Sequence, residues 1–148
     1  MYCTSQEVME MIKPDAMSGL IDNEYIEDEN ERETKLLPII EAAIEDADGE
    51  IDGYLTKRYP VPLSSVPKVI NKFSKDIALY NIFTRNGIDT GERESIYLTR
   101  YKAAVRFLEN IAKGVIDIGA KKIEARANTG FNMNSSTRLF SRNSLKGM

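Results

Sequence analysis

The sequence contains no histidine and no tryptophan, and Cys3 is its only cysteine. Without histidine there can be no Ser-His-Asp or Cys-His pair and no imidazole general base. A zinc site would have to combine one thiolate with carboxylates, which is an unusual ligand set. A single cysteine cannot form an internal disulfide, and no histidine or neighbouring base is present to activate it. We therefore expect a protein that is not an enzyme and that uses no metal or cofactor.

Three further features are missing. The chain has no glycine-rich phosphate loop of the GxxxxGK[ST] or GxGxxG type. It also has no apolar run of the roughly 18 residues that a membrane-spanning helix needs. The first residues, Met1 to Glu7, lack the basic start and apolar stretch of a signal peptide. We expect synthesis in the cytoplasm and no membrane partner. The 148 residues, 42% of them hydrophobic, suit one domain with a helical core.

The charge is small overall but unevenly distributed. The net charge is −3. Residues 1–34 carry ten acids and two bases, hence −8, and residues 119–148 carry six bases and one acid, hence +5. The acidic start and the basic end could attract each other within one chain or between neighbouring chains. The simpler interpretation is that both are solvated segments.

Apolar periodicity predicts a short helix followed by a long one. Thr4 and Glu7 have capping-box spacing, so a helix should run from there to about Ile12, before Lys13-Pro14. Residues 15–33 show no period and are predicted to be a loop. A long helix should begin between Thr34 and Pro38 and end near Arg58-Tyr59, because apolar residues recur in steps of three and four at Ile40, Ala43, Ile44, Ala47, Ile51, Tyr54 and Leu55.

Two more long helices and an arm complete the predicted fold. One helix should enter at Val66-Pro67 and stop at Asn86-Gly87, and it should be the most buried; the other should run from about Glu92 to Lys113-Gly114. Residues 115–119 alternate briefly, as in a short strand. The fold class is therefore mainly α, a bundle of three long helices plus a short N-terminal helix. We place a helical domain at residues 1–118 and an extended C-terminal arm at residues 119–148.

Polar and glycine positions in the long helix invite three interpretations. Gly49 and Gly53 each cost about 1 kcal/mol relative to alanine, so we predict that another backbone packs closely there. The carboxylates of Glu45, Asp48 and Asp52 share a helix face and are interpreted as solvated. Residues 46–53 resemble a calcium loop, but the position of the bidentate twelfth ligand falls on Tyr59, so no calcium site is expected.

Several short motifs resemble a known family. They begin with Glu50-Ile51-Asp52-Gly53-Tyr54-Leu55, continue through Arg58-Tyr59-Pro60-Val61-Pro62-Leu63, and end with Phe140-Ser141-Arg142-Asn143-Ser144-Leu145-Lys146-Gly147. In order and spacing the chain resembles the small proteins of Mu-like phages and prophages, which are themselves similar to phage head–tail connector, or adaptor, proteins. The resemblance covers most of the chain after about residue 36 and leaves out the acidic residues 22–33.

The resemblance implies a structural virion protein of the neck that joins head to tail. It implies a homo-oligomeric ring, twelve-fold as is common for such adaptors, that sits below the portal and extends the channel for packaged DNA. The expected partners are further copies of the chain, the portal protein and a tail-side neck or terminator protein. The arm would dock on a partner through apolar and basic residues, namely Arg138, Leu139, Phe140, Arg142, Leu145 and Lys146.

Two alternatives remain open at this stage. The first is a helical DNA-binding regulator, for which the last long helix offers Arg93, Arg100, Lys102 and Arg106 among acids. The second is an enzyme that depends on a metal held by carboxylates. Most tyrosines and phenylalanines fall on apolar stripes, so we predict core packing for them, not stacking on nucleic acid.

Overall fold

The computed structural model describes residues 1–13, 16, 20–21, 28–85 and 92–123. Within these residues the chain forms four helices and no strand: α1 (Ser5–Met9), α2 (Glu29–Leu55), α3 (Lys68–Thr84) and α4 (Glu92–Lys113). The prediction of a mainly α fold with three long helices and a short N-terminal one is confirmed. The division between residues 118 and 119 remains a prediction, because residues 124–148 lie outside the described part of the chain.

The predicted capping box sets the start of α1. The Glu7 N–H donates to Thr4 Oγ1 at 3.3 Å, and the Thr4 N–H donates to Glu7 Oε2 at 2.9 Å. The bond from the Thr4 N–H to the carboxylate, together with one from the Asn71 side chain, lowers the pKa of Glu7 to about 2. The α-helix ends at Met9 and not at Ile12, because the next residues form tighter turns in which the Ile12 N–H donates to the Met9 carbonyl.

Helix α2 begins at least five residues earlier than predicted, at Glu29. Asp28 caps it by accepting a hydrogen bond from the Asn30 N–H at 3.1 Å, and the acidic first turn suits the positive end of the helix dipole. The interpretation of residues 29–33 as loop is therefore wrong. These first turns are mostly exposed and so carry no apolar period. The 27-residue helix is about 40 Å long.

Pro38 lies inside α2 and not in its first turn. It has no N–H to donate to the Thr34 carbonyl, and proline normally kinks or breaks a helix for this reason. Both residues are on the exposed side of α2, where water can replace the missing helical partner. The helix ends at Leu55, where the Arg58 and Tyr59 N–H groups both donate to the Leu55 carbonyl.

Helix α4 starts at Glu92, as predicted, and ends in the predicted glycine cap. Gly114 has φ +82°, the Val115 N–H donates to the Asn110 carbonyl, and the Gly114 N–H donates to the Ile111 carbonyl. The short strand predicted over residues 115–119 is wrong. Gly119, at φ +71°, donates its N–H to Asp117 Oδ1 at 2.9 Å, which makes a turn of this segment.

The core lies between the three long helices. Helix α3 packs against both α2 and α4, α2 also touches α4, and α1 packs across α2 and α3. Helix α3 is the most buried for its length, as predicted, and each of its fully buried aliphatic side chains contributes about 1.5–3 kcal/mol. The buried residues of α3 are Ile70, Phe73, Ser74, Asp76, Ile77, Ala78, Leu79 and Ile82.

Three aromatic pairs join α3 to α4. The ring centroids lie 4.9 Å apart for Phe73–Phe107, 4.2 Å for Tyr80–Tyr101 and 4.4 Å for Phe83–Tyr97. The pairing order shows that the two helices run antiparallel. These rings belong to the bundle, as predicted, so they are not a free stacking surface.

Candidate assembly surfaces

The surroundings of the two α2 glycines differ from the prediction that another backbone packs closely against them. Both Gly49 and Gly53 are exposed, and a Cβ built on either would meet no atom within 4 Å in the described part of the chain. Each is two residues from buried core positions such as Ile51, which is about 200° around the helix, so each points away from the bundle. Close packing against another described part of the chain is therefore wrong, and contact with another chain stays a prediction.

A groove runs beside this outer face of α2, where it meets the end of α3. It has a cavity volume of about 490 Å³. The α2 side is small and apolar, with Ala42 exposed, and carries the carboxylate of Asp46. The groove is lined by Pro38, Ile39, Ala42, Ala43 and Asp46 from α2 and by Asn81, Ile82 and Arg85.

The outer face of α4 has the opposite charge. A second groove, of about 400 Å³, is lined by Lys102, Ala103, Arg106, Phe107 and Asn110. The side chains of Lys102 and Arg106 are exposed. Neither has an ion pair in the described part of the chain, since the salt bridges of α4 there join Arg100 to Asp76 and Lys113 to Glu109. This face therefore offers two uncompensated cations around a shallow apolar groove.

Arg100 is committed to the bundle and is not part of this free basic face. Its Nε lies 3.6 Å from Asp76 Oδ1, and the Asp76 side chain is only 4% exposed. Burial raises the pKa of Asp76, although the charges of Arg100 and Lys72 partly oppose the shift. Of the four α4 bases considered for DNA binding, Arg100 is thus paired inside the chain, and the side chain of Arg93 lies outside the described part.

The first residues of the chain are fixed between α2 and α3 by a hydrogen-bond cluster that the sequence did not predict. Tyr2 is 4% exposed, and its N–H donates to Asp48 Oδ1 at 3.1 Å. Its hydroxyl donates to the Asp52 carboxylate and accepts the Leu63 N–H at 3.2 Å. Asn71 Nδ2 donates to the Tyr2 carbonyl at 2.9 Å. Burial and the bond to Asp52 raise the pKa of Tyr2 to about 12.

This N-terminal cluster corrects the interpretation of the α2 carboxylates. Asp48 and Asp52 are half-buried acceptors of Tyr2, and only Glu45 of the predicted trio is exposed. Residues 46–53 are helical throughout, so they do not form a calcium loop. A signal was available, because Asp48 and Asp52 border the apolar stripe of Ile51 and such positions usually find a polar partner.

Cys3 lies in the same cluster. It is a free, buried thiol, and Ser74 Oγ lies 3.2 Å from its sulfur. Burial raises the pKa of Cys3, which disfavours the nucleophilic thiolate. The geometry agrees with the expectation of an unreactive cysteine.

The segment after α4 folds back onto the end of α2. The fully buried Tyr59 donates its hydroxyl to Asp117 Oδ1 at 3.1 Å, and the Ile123 N–H donates to the Arg58 carbonyl at 2.9 Å. Lys122 Nζ lies 2.5 Å from Asp117 and, with the Gly119 N–H, lowers the pKa of Asp117 to about 2. The described chain therefore stays attached to the bundle as far as Ile123.

The predicted docking residues of the arm lie beyond this point. They all fall outside the described residues, so their placement stays a prediction: Arg138, Leu139, Phe140, Arg142, Leu145 and Lys146. Among the described residues no group of three or more histidine, cysteine or acidic side chains could hold a metal ion. None of the described helices is both long enough and apolar enough to cross a membrane.

Comparison with known proteins agrees with the motifs found in the sequence. A family profile described as Bacteriophage Mu, Gp36 matches residues 2–135. The Mu-like prophage FluMu protein gp36 of Haemophilus influenzae is 32% identical over 110 residues, which cover 73% of this chain and 74% of that protein. The match extends across all four helices and across the segment that attaches to Tyr59. The chain therefore belongs to the Gp36 family of Mu-like phage proteins.

Proposed function

We propose that this protein is a structural component of the virion, a head–tail adaptor in the neck of a tailed phage. The observation that carries the proposal is the family match over residues 2–135. It identifies a Mu-like phage protein, and the matched residues include all four helices of the bundle. The similarity of this family to head–tail connector proteins supports the same function. The buried thiol of Cys3 and the use of Asp48 and Asp52 as structural acceptors agree with a protein that is not an enzyme.

In this proposal the bundle is one subunit of a homo-oligomeric ring below the portal. The ring, twelve-fold as in many adaptors, extends the channel, and packaged DNA passes through it without sequence-specific contacts. The arm docks on the portal protein, on a tail-side neck or terminator protein, or on a neighbouring copy. Its three apolar anchors would each contribute roughly 1.5–3 kcal/mol if buried. The protein is made in the cytoplasm of the host bacterium and ends in the virion.

The position of the protein in the particle tests this proposal directly. Virions carrying a small epitope tag on the chain should show the tag at the junction of head and tail in electron micrographs. A phage in which the gene is disrupted should accumulate filled heads and separate tails. A tag found on the capsid shell or the tail tip, or disrupted phage that still join heads to tails, would refute the adaptor function.

A DNA-binding regulator is the second candidate, and one observation favours it. Lys102 and Arg106 are exposed and have no ionic partner among the described residues. Side chains that bind DNA phosphates are similarly unpaired before the DNA is bound. The pairing of Arg100 with Asp76 counts against it, because it removes a base from this face. Retardation of short duplexes in a gel, weakening steeply with salt, would support the regulator.

A further inference from the structure

We propose that the acidic outer face of α2 in one copy binds the basic outer face of α4 in the next copy. The proposal specifies which surfaces join the subunits of the ring, and it rests on the proposed adaptor function for the existence of that ring. It concerns described residues only and does not involve the arm. The partner that binds each face is a second copy of this chain. The proposal is based on the complementary charges of the two faces.

The acidic side is defined by Glu41, Glu45 and Asp46. All three are exposed, and none has an ion pair in the described part of the chain. Helix α2 holds nine acids and two bases, which gives it a net charge of −7. At 100° per residue, Glu45 and Asp46 lie on either side of the line through Ala42 and Gly49. These small residues keep the centre of the face low, and the 490 Å³ groove opens beside it.

The basic side is defined by Lys102 and Arg106, four residues apart and hence neighbours on one face of α4. Ala103 lies to one side of them, next to Arg106, and its small side chain leaves the 400 Å³ groove open. Helix α4 holds five bases and three acids, a net charge of +2. Both faces therefore combine a shallow groove with exposed helix charges of one sign that have no ion pair in the described fold, although Arg85 of the α3 end also lines the α2 groove.

The two faces cannot satisfy each other within one molecule. They lie on the solvent sides of two helices that both turn their apolar sides to α3. A contact between unlike faces of identical chains is heterologous, so each copy keeps one free face of each kind and the contact repeats around a closed ring. Apposed charges of opposite sign would steer the approach and fix the register of the two helices.

Paired charge reversals test the contact. The Glu45→Lys, Asp46→Lys variant should repel its own α4 face, and the Lys102→Glu, Arg106→Glu variant should repel its own α2 face. We expect each variant alone to self-associate about tenfold or more weakly than the wild type in low salt, measured by sedimentation of the full chain over its soluble concentration range. Mixed together, they should associate again, because every contact then joins opposite charges.

The matched control is Lys57→Glu, Lys68→Glu, which makes the same change in charge at two other exposed lysines and should sediment as the wild type. The proposal is overturned if the wild type stays monomeric at all concentrations, if the control is equally impaired, or if mixing restores nothing. It is also overturned if Lys102→Glu, Arg106→Glu abolishes binding to duplex DNA and leaves sedimentation unchanged. A protein located in the neck that fails this test retains its adaptor function and uses other faces.

Discussion

The hydroxyl of Tyr2 donates a hydrogen bond to the carboxylate of Asp52, fifty residues away, and the same oxygen accepts the backbone N–H of Leu63 at 3.2 Å. One buried phenol thus joins the start of the chain to α2 and to the loop that leads into α3. The contact also fixes the ring in the core, where it is 4% exposed. It makes the first residues a structural part of the bundle.

Replacing Tyr2 with phenylalanine should destabilise the isolated protein by about 1–3 kcal/mol. The apolar ring remains, but the buried Leu63 N–H and the half-buried Asp52 carboxylate each lose a hydrogen-bond partner. The free energy of unfolding, measured by urea denaturation at neutral pH, should fall by this amount with an unchanged slope.

Tyr97→Phe provides the matched control for that measurement. Tyr97 is also half-buried and stacks on Phe83, but its hydroxyl has no hydrogen bond in the described part of the chain. Its loss should therefore change the unfolding free energy little. Equal effects of the two substitutions would show that the hydrogen bonds of Tyr2 contribute nothing.

Substitutions at Gly53 should act in opposite directions on the isolated chain and on the assembly. With open space around its Cβ position, Gly53→Ala should stabilise the isolated chain by about 0.5–1 kcal/mol through helix propensity alone. Gly53→Leu should also raise the melting temperature of the isolated chain. If a second copy packs on this face of α2, the leucine should weaken sedimentation-detected association while the alanine has a smaller effect. A lower melting temperature for either variant would contradict the open geometry.

The glycine positions show how far helix periodicity reaches. The apolar stripe that correctly predicted α2 also places Gly49 and Gly53 on its outer side, because Ala47, Ile51 and Leu55 occupy the inner one. The outward position of both glycines could therefore have been predicted from the sequence. The start of α2 at Glu29 was harder to predict. Solvated turns have no apolar periodicity, and here the helix start depends on the Asp28 cap.

The cluster around Tyr2 could not be predicted in the same way. Periodicity and capping are local, whereas Tyr2 meets Asp48, Asp52 and Asn71 at separations of about fifty to seventy residues. Only packing of α2 against α3 brings these groups together. By contrast, the position of Lys102 and Arg106 on the same face of α4 follows from their spacing of four residues once the helix is recognised.

Arg100→Gln should destabilise the protein more at neutral pH than at acidic pH. Burial already raises the pKa of Asp76, so its ionisation costs stability as the pH rises from the ordinary value of 3.8 through the raised value. Removal of the nearest cation leaves the buried carboxylate less compensated and raises this pKa further. Melting temperatures across the acid range should converge with those of the wild type below the ordinary pKa.

The same experiment in an Asp76→Asn background isolates the pair. Without the ionisable group, Arg100→Gln should have a smaller effect that no longer depends on pH, and the difference between the two backgrounds gives the coupling free energy. Asp76→Asn alone should be as stable as the wild type or more so at neutral pH. A pH-independent cost of Arg100→Gln in both backgrounds would mean that the arginine acts through packing.

The attachment of residues 114–123 to the end of α2 divides the C-terminal region into two functional parts. Tyr59 and Arg58 hold Asp117 and Ile123 by hydrogen bonds. Removal of residues 116–148 should therefore destabilise the bundle, because the buried hydroxyl of Tyr59 loses Asp117 and the Ile118 N–H. This truncation is the reference against which a shorter one is judged.

Removal of residues 128–148 alone should leave the bundle intact and prevent the joining of heads to tails. Every described contact of the C-terminal region lies at or before Ile123, so circular dichroism and melting of the isolated protein should match the wild type. The deleted part holds the predicted apolar anchors Leu139, Phe140 and Leu145, so heads made with this variant should not join tails. A truncated protein that fails to fold would place the tail in the monomer's own core. One that folds and still yields complete particles would eliminate docking by the arm.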